Sequence, residues 1–174
     1  MTLTDSFILE LTSEATTTRR VLERVPADKL SWRPHQKSMT LGQLALHIAA
    51  LPGAIAELVT QLSVEPPVPP LREATSRDQL LSTLDESVEK ATAKLSGWGD
   101  DGLKAVWKIT RGSQTLLEMP RAAVIRSVML NHWYHHRGQL SVYLRQVGVP
   151  VPSIYGPSAD ENPFAANPAS AVSA

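Results

Sequence analysis

Residues 120–147 constrain the fold of this chain more than any other stretch. Pro120 suits a first helical position, because its missing amide proton would go unused there. Gly148 offers a left-handed cap after Val147, and Pro150 forbids continuation. The spacing between these marks predicts one long helix. Projected at ~100° per residue, Ile125, Val128, His132, His136, Gln139 and Tyr143 fall within a narrow arc, read as the inward face. His132 and His136 are four residues apart, so both rings lie on one side of the helix and can reach one ion. His135 flanks them at roughly 60°. Trp133 and Tyr134 point further away, and Arg137 reads as a surface ion pair. Gln139 points inward, and a buried amide needs a partner. It is therefore a candidate for supporting the histidines from outside the coordination sphere.

A helix this polar needs neighbours, and three more are legible. Residues 5–24 carry Phe7, Leu11, Ala15, Thr18, Leu22 and Val25 at spacings of three and four. Asp5 is the expected cap and Pro26 the stop. Residues 26–39 form a connection anchored by Leu30 and Trp32, with Trp32 as a plug on the core. A second helix starts at Thr40, where Thr40 and Gln43 make a capping box. Leu44, His47, Leu51, Ile55, Leu58 and Leu62 form its stripe. His47 is the only polar member, and Pro52-Gly53 is expected to kink the helix. Residues 65–70, EPPVPP, predict a stiff extended crossover. A third helix runs from Ser76 to about Leu95, capped by Ser76 with Gln79, and buries Leu80, Leu84, Val88, Ala91 and Leu95. Residues 96–102 read as a turn region.

Residues 103–119 fit a short hairpin turning at Arg111-Gly112 or a long irregular loop. Residues 151–164 drape over the helices through Ile154, Tyr155 and Phe164, and 165–174 form a loose tail. The expected architecture is all-α: one four-helix bundle over residues 1–164 with long crossover loops.

The charges balance at 17 basic and 17 acidic residues. That removes the electrostatic argument for a nucleic acid or an anionic membrane as partner. Absence of cysteine excludes disulfides, Cys-type zinc sites and a cysteine nucleophile. The N-terminal stretch lacks a basic segment of the signal-peptide kind, and no apolar run approaches the ~20 residues of a membrane span. A cytoplasmic location is the expectation. No GxGxxG or P-loop pattern is present. Asp85, Glu86 and Glu89 read as a solvated face, and Trp98, Trp107, Trp133 and Tyr155 as packing residues. His35 lies in the loop before the second helix and is expected to be exposed.

His47, His132 and His136 then form a candidate metal site between two helices. Three neutral imidazoles suit a first-row transition metal: zinc first, with nickel, copper or iron also accommodated. With zinc, three protein ligands leave a fourth position open, which is the catalytic arrangement. Trp133 stands where a zincin carries its glutamate, which argues against a metalloprotease.

Three segments, WRPHQKSMTLGQLALHIA, NHWYHHRGQLSVYLR and YGPSADEN, together resemble the DinB-like (DinB/YfiT) family of bacterial helical proteins over about residues 5–164. The HHRGQL signature with its upstream histidine is the most specific part. The resemblance implies an up-down-down-up bundle, frequent homodimers and a metal held by three histidines, which map onto His47, His132 and His136. Some relatives are similar to metal-dependent thiol S-transferases using bacillithiol, mycothiol or glutathione, and one branch is a maleylpyruvate isomerase. A small-molecule thiol and an electrophilic substrate are the partners this implies. A thiol on a divalent zinc is deprotonated, and the thiolate is the nucleophile. The alternatives are a non-catalytic metal-binding stress-response protein and a metal-dependent hydrolase.

Overall fold

The computed structural model describes residues 1–66 and 72–165. Most of the expected crossover, from residue 67 on, and the tail from residue 166 lie outside them. The described chain is mostly helical. Helix α1 spans Leu3–Leu22, α2 Leu41–Leu58 and α3 Arg77–Lys104. A fourth rod, residues 121–146, consists of α4 (Arg121–Val124), a π-helical stretch (Ile125–Asn131) and α5 (His132–Gln146). A short 3-10 turn, Ala27–Lys29, lies between α1 and α2.

An all-α fold was the expectation, and the protein departs from it. Strand β1 (Ser63–Val64) pairs in parallel with β2 (Val106–Arg111), which pairs antiparallel with β3 (Gln114–Pro120). Of the two readings of residues 103–119, the hairpin is the one found. Gly112, at φ +57°, supplies the left-handed turn residue that a tight hairpin needs. Trp107 is buried under the sheet. A two-residue strand such as β1 leaves no alternating pattern to read, and its pairing partner is more than 40 residues away.

The helix ends follow capping chemistry. Thr2, not Asp5, caps α1: Asp5 N–H donates to Thr2 Oγ1 and Thr2 N–H returns to Asp5 Oδ2, each at 3.0 Å. Asp100 adds a long-range cap, accepting from Leu3 N, Thr4 N and Thr4 Oγ1. Thr40 and Gln43 form the expected reciprocal box at α2. Ser76 caps α3, but the Gln79 side chain turns to Thr75 instead of completing a box. Pro120 is the residue before the first helical position rather than that position itself. Gly148 has φ +78°, the left-handed stop.

The turn expected at residues 96–102 is corrected to a local break. Helix α3 interrupts only at Gly99, at φ +58°, and continues to Lys104. The reason is packing: Leu95 and Leu103 on either side both reach the core. Arg121 then joins two helix ends. Its Nε donates to the Val59 carbonyl after α2, and Nη1 to the Gly102 carbonyl near the end of α3. Its guanidinium stacks on Trp98 at 4.4 Å. Carbonyls at helix C-termini carry partial negative charge, so a buried guanidinium without a carboxylate is balanced there.

By length and composition alone α2 could cross a membrane. In the protein ten of its residues are buried, and core packing accounts for its apolar character. The buried face runs through Leu41, Leu44, Ala45, Ile48, Ala49, Pro52 and Ala56. It lies to one side of the expected stripe, with Ile55 and Leu58 half-buried and Leu62 exposed. His47 therefore sits at the margin of the core. The helix runs unbroken through Pro52, and Gly53 presses against Ser87 of α3, where an added Cβ would come within 2.9 Å of backbone.

Residues 149–165 lie along the helices, held by Val151 in the core, by Val149 and the expected anchor Ile154 packed against it, and by charge. Asp160 accepts from Val151 N and pairs with Arg145. Arg20 donates to the Ser153 carbonyl and pairs with Glu161. Phe164, expected to anchor this segment, is 80% exposed. Tyr155 is also mostly exposed, but its hydroxyl is engaged as described below.

Candidate metal centre

Two helices deliver the three histidines. Facing α2 and α5 bring His47 within ring-centroid distances of 5.3 Å from His132 and 4.7 Å from His136. The His132 and His136 rings are 4.5 Å apart, one turn of helix. One nitrogen from each ring lies within 4.8 Å of the other two. The three positions singled out in the sequence thus meet in space. All three are half-buried, at the margin between core and solvent.

The outer nitrogens of two rings are already engaged. His132 Nδ1 lies 3.3 Å from the Val128 carbonyl, and His136 Nδ1 lies 2.7 Å from Gln139 Oε1. A proton on each Nδ1 satisfies those oxygens and leaves the lone pair on Nε2. The two Nε2 atoms face each other at 2.7 Å. That is hydrogen-bond distance if one Nε2 carries a proton; with both protons on Nδ1 the two lone pairs face each other and a cation can share them. Ligands held ~2.0–2.1 Å from a zinc ion sit a little over 3 Å apart, so small side-chain movements bring the present rings to that spacing. The donor set fits a first-row divalent metal on this ground.

Electrostatics keep the rings neutral. Burial, reinforced by the neighbouring His136 and His132, lowers the His47 pKa to about 4. Burial also lowers His132, against the opposing Val128 hydrogen bond, and lowers His136 against that of Gln139. A neutral imidazole is the form that ligates.

The wheel placed other residues wrongly. Trp133 was expected to face away, yet it is fully buried and its indole N–H donates to the Ile48 carbonyl at 2.9 Å. Arg137 was expected at the surface and is 1% exposed. It pairs with Glu14 and donates to Thr18 Oγ1, the Glu14 carbonyl and the Tyr155 hydroxyl. Gln139, expected inward, is exposed and still reaches His136. The rod has two working sides: the histidines face α2, while Trp133, Arg137, Leu140 and Leu144 fill the core. The π-helical turns before His132 also break the uniform 100° step that a wheel assumes. Nothing in local sequence marked Arg137 as buried. Its partners lie 18, 119 and 123 residues away.

Among the described residues no carboxylate joins the three histidines. Two surface clefts lie elsewhere, one lined by Thr4, Asp5 and Asp100, the other by Thr16, Arg19 and Asp85.

The fold and the site together define a class: a mostly helical protein carrying three imidazoles between facing helices. The sequence profile of the DinB family matches residues 1–165, and the chain belongs to that family. YrdA of Bacillus subtilis (strain 168), described as an uncharacterized protein, is 28% identical over 158 residues, covering 90% of each chain. The crystal structure of a DinB-like protein from Bacillus cereus ATCC 10987 superposes with a TM-score of 0.68 at 25% identity, covering 87% of this chain and 97% of that one. A DinB-like protein from Bacillus subtilis, YjoA, shares the fold with a TM-score of 0.61 at 22% identity, over 83% and 95% of the two chains.

Proposed function

We propose that His47, His132 and His136 hold a divalent transition metal, zinc in the first place, and that the protein is a metal-dependent S-transferase. It joins a low-molecular-weight thiol to a small electrophile: the thiol gives up its proton, and the whole thiolate forms a new sulfur–carbon bond, by addition or with departure of a leaving group. The observation that supports this most directly is the pair of Nε2 atoms at 2.7 Å, each with its Nδ1 engaged elsewhere. A bound divalent ion supplies Lewis acidity, lowering the pKa of a thiol or water that ligates it.

The chain's own residues do the rest. Burial keeps all three imidazoles deprotonated near neutral pH. The Val128 carbonyl and Gln139 Oε1 lie against Nδ1 of two rings, which favours the tautomer with Nε2 free to ligate. The partial exposure of the three rings gives a small molecule a way in. With no cysteine in the chain, the thiol must come from outside. A metal-bound hydroxide at the same three histidines would equally support hydrolysis, and the thiol titration below distinguishes the two. The up-down-down-up arrangement and the homodimer implied by the resemblance, and the cytoplasmic location expected from the sequence, complete the proposal.

Metal analysis of the purified protein comes first, then titration of thiols into cobalt-loaded protein followed by the visible spectrum. New sulfur-to-metal absorption with a low-molecular-weight thiol supports the transferase. Metal uptake with no response to any thiol leaves the non-catalytic metal-binding reading. Failure to bind metal at all removes both.

A further inference from the structure

Pro52 has no amide proton, so the carbonyl four residues earlier in α2 loses its helical donor. That carbonyl belongs to Ile48, which is fully buried. A buried carbonyl without a partner is costly. It accepts instead from the indole Nε1–H of Trp133 at 2.9 Å. Trp133 is fully buried too, so water does not compete for either group. Ile48 follows His47 in α2, and Trp133 follows His132 in α5. The bond therefore runs from the side chain of the residue after His132 to the backbone carbonyl of the residue after His47. On the far side of the proline, Gly53 N–H donates to Ser87 Oγ at 2.8 Å, pinning the same turn of α2 against α3.

We infer that Pro52, the Ile48 carbonyl and Trp133 form a positioning link that sets the separation of His47 from His132 and His136. Pro52 and Trp133 are positioning residues and touch no ligand. Pro52 acts by leaving a carbonyl free, and Trp133 by claiming it across the helix interface. Trp133 sits between the two histidines of its helix in sequence, where a zincin would place its base. It serves the site from the core side instead. The inference rests on the three histidines being a metal site.

Two variants separate this role from plain packing. Trp133→Phe keeps most of the ring and removes the donor. Pro52→Ala restores an amide proton at 52 that competes for the same carbonyl. Each full-length variant is loaded with zinc against a chromophoric chelator and with cobalt for its visible spectrum, and its urea midpoint is measured without metal. The expected result is roughly tenfold weaker zinc binding for Trp133→Phe, a loss typical of groups that orient ligands. Its cobalt bands shift, and Pro52→Ala changes both readouts in the same direction. Wild-type affinity and spectrum in both variants overturn the inference, whatever happens to the urea midpoints. Should Trp133→Phe fail to fold, Pro52→Ala decides alone by the same criterion. A wild-type protein that takes up no metal overturns the proposed function and this inference together. Wild-type uptake with unaltered variants overturns only the inference.

Discussion

Gln139 shows how an exposed side chain can matter to a buried-edge site. It lies in solvent, yet its Oε1 is 2.7 Å from His136 Nδ1. Replacing it by alanine frees the tautomer and the ring orientation together. Gln139→Ala is expected to weaken metal binding about tenfold, with little change in the urea midpoint of the metal-free protein. A chelator competition assay measures the first and a denaturation curve the second. A second prediction concerns pH. His47 has a folded pKa of about 4 against an ordinary value of 6.5, and burial moves His132 and His136 the same way. Between those values the unfolded chain binds more protons than the folded one. The stability of the metal-free protein is therefore complete above pH 6.5 and falls as pH drops toward 4. Asp5, Glu10, Asp100 and Asp160, each held low chiefly by hydrogen bonds, act in the same direction, but only below their ordinary values of 3.8 to 4.5. Urea midpoints of chelated protein measured from pH 7.5 to 5 should thus decline, and less so in His47→Leu.

Among the elements, helices α1 to α3 were legible because their signals are local. Thr40 and Gln43 spell a capping box, and the structure forms it. Thr40→Ala removes the acceptor for Gln43 N–H and a bond to Glu73, and is expected to cost about 1 kcal/mol in urea denaturation at unchanged m-value. What was illegible depended on distant partners. Gly99 looks like the end of a helix in sequence, but the core claims Leu103 beyond it. Strand β1 exists because β2 offers it an edge. The helical wheel of residues 120–147 put on one face the two histidines that meet His47 in space and misplaced Trp133 and Arg137. A wheel has one inward direction, whereas this rod meets α2 on one side and α1 on another.

At the scale of the whole molecule, Arg137 binds three parts of the chain. It reaches Glu14 and Thr18 on α1 and Tyr155 beyond the last helix, and lies over the Tyr134 and Tyr155 rings. Tyr155 in turn donates to Glu14 Oε2 at 3.0 Å. Removing the cation leaves the Glu14 carboxylate half-hidden and unmatched. Arg137→Leu is expected to cost about 3 kcal/mol and to make residues 149–165 open to limited proteolysis before the helices are cut. Metal affinity should change little, since Arg137 faces away from the histidines. Loss of metal binding at unchanged stability would contradict that division.

Arg121 implies something about time rather than equilibrium. Its acceptors, the Val59 and Gly102 carbonyls, lie at or near the ends of two different helices, and Arg121 directly follows the hairpin. A contact that joins parts of the chain this far apart in sequence is expected to form late, after the rate-limiting barrier, and folding and unfolding rates of Arg121→Ala test this. Its loss would leave refolding speed nearly untouched and hasten unfolding instead, so this one arginine governs how long a folded molecule lasts more than how quickly it forms.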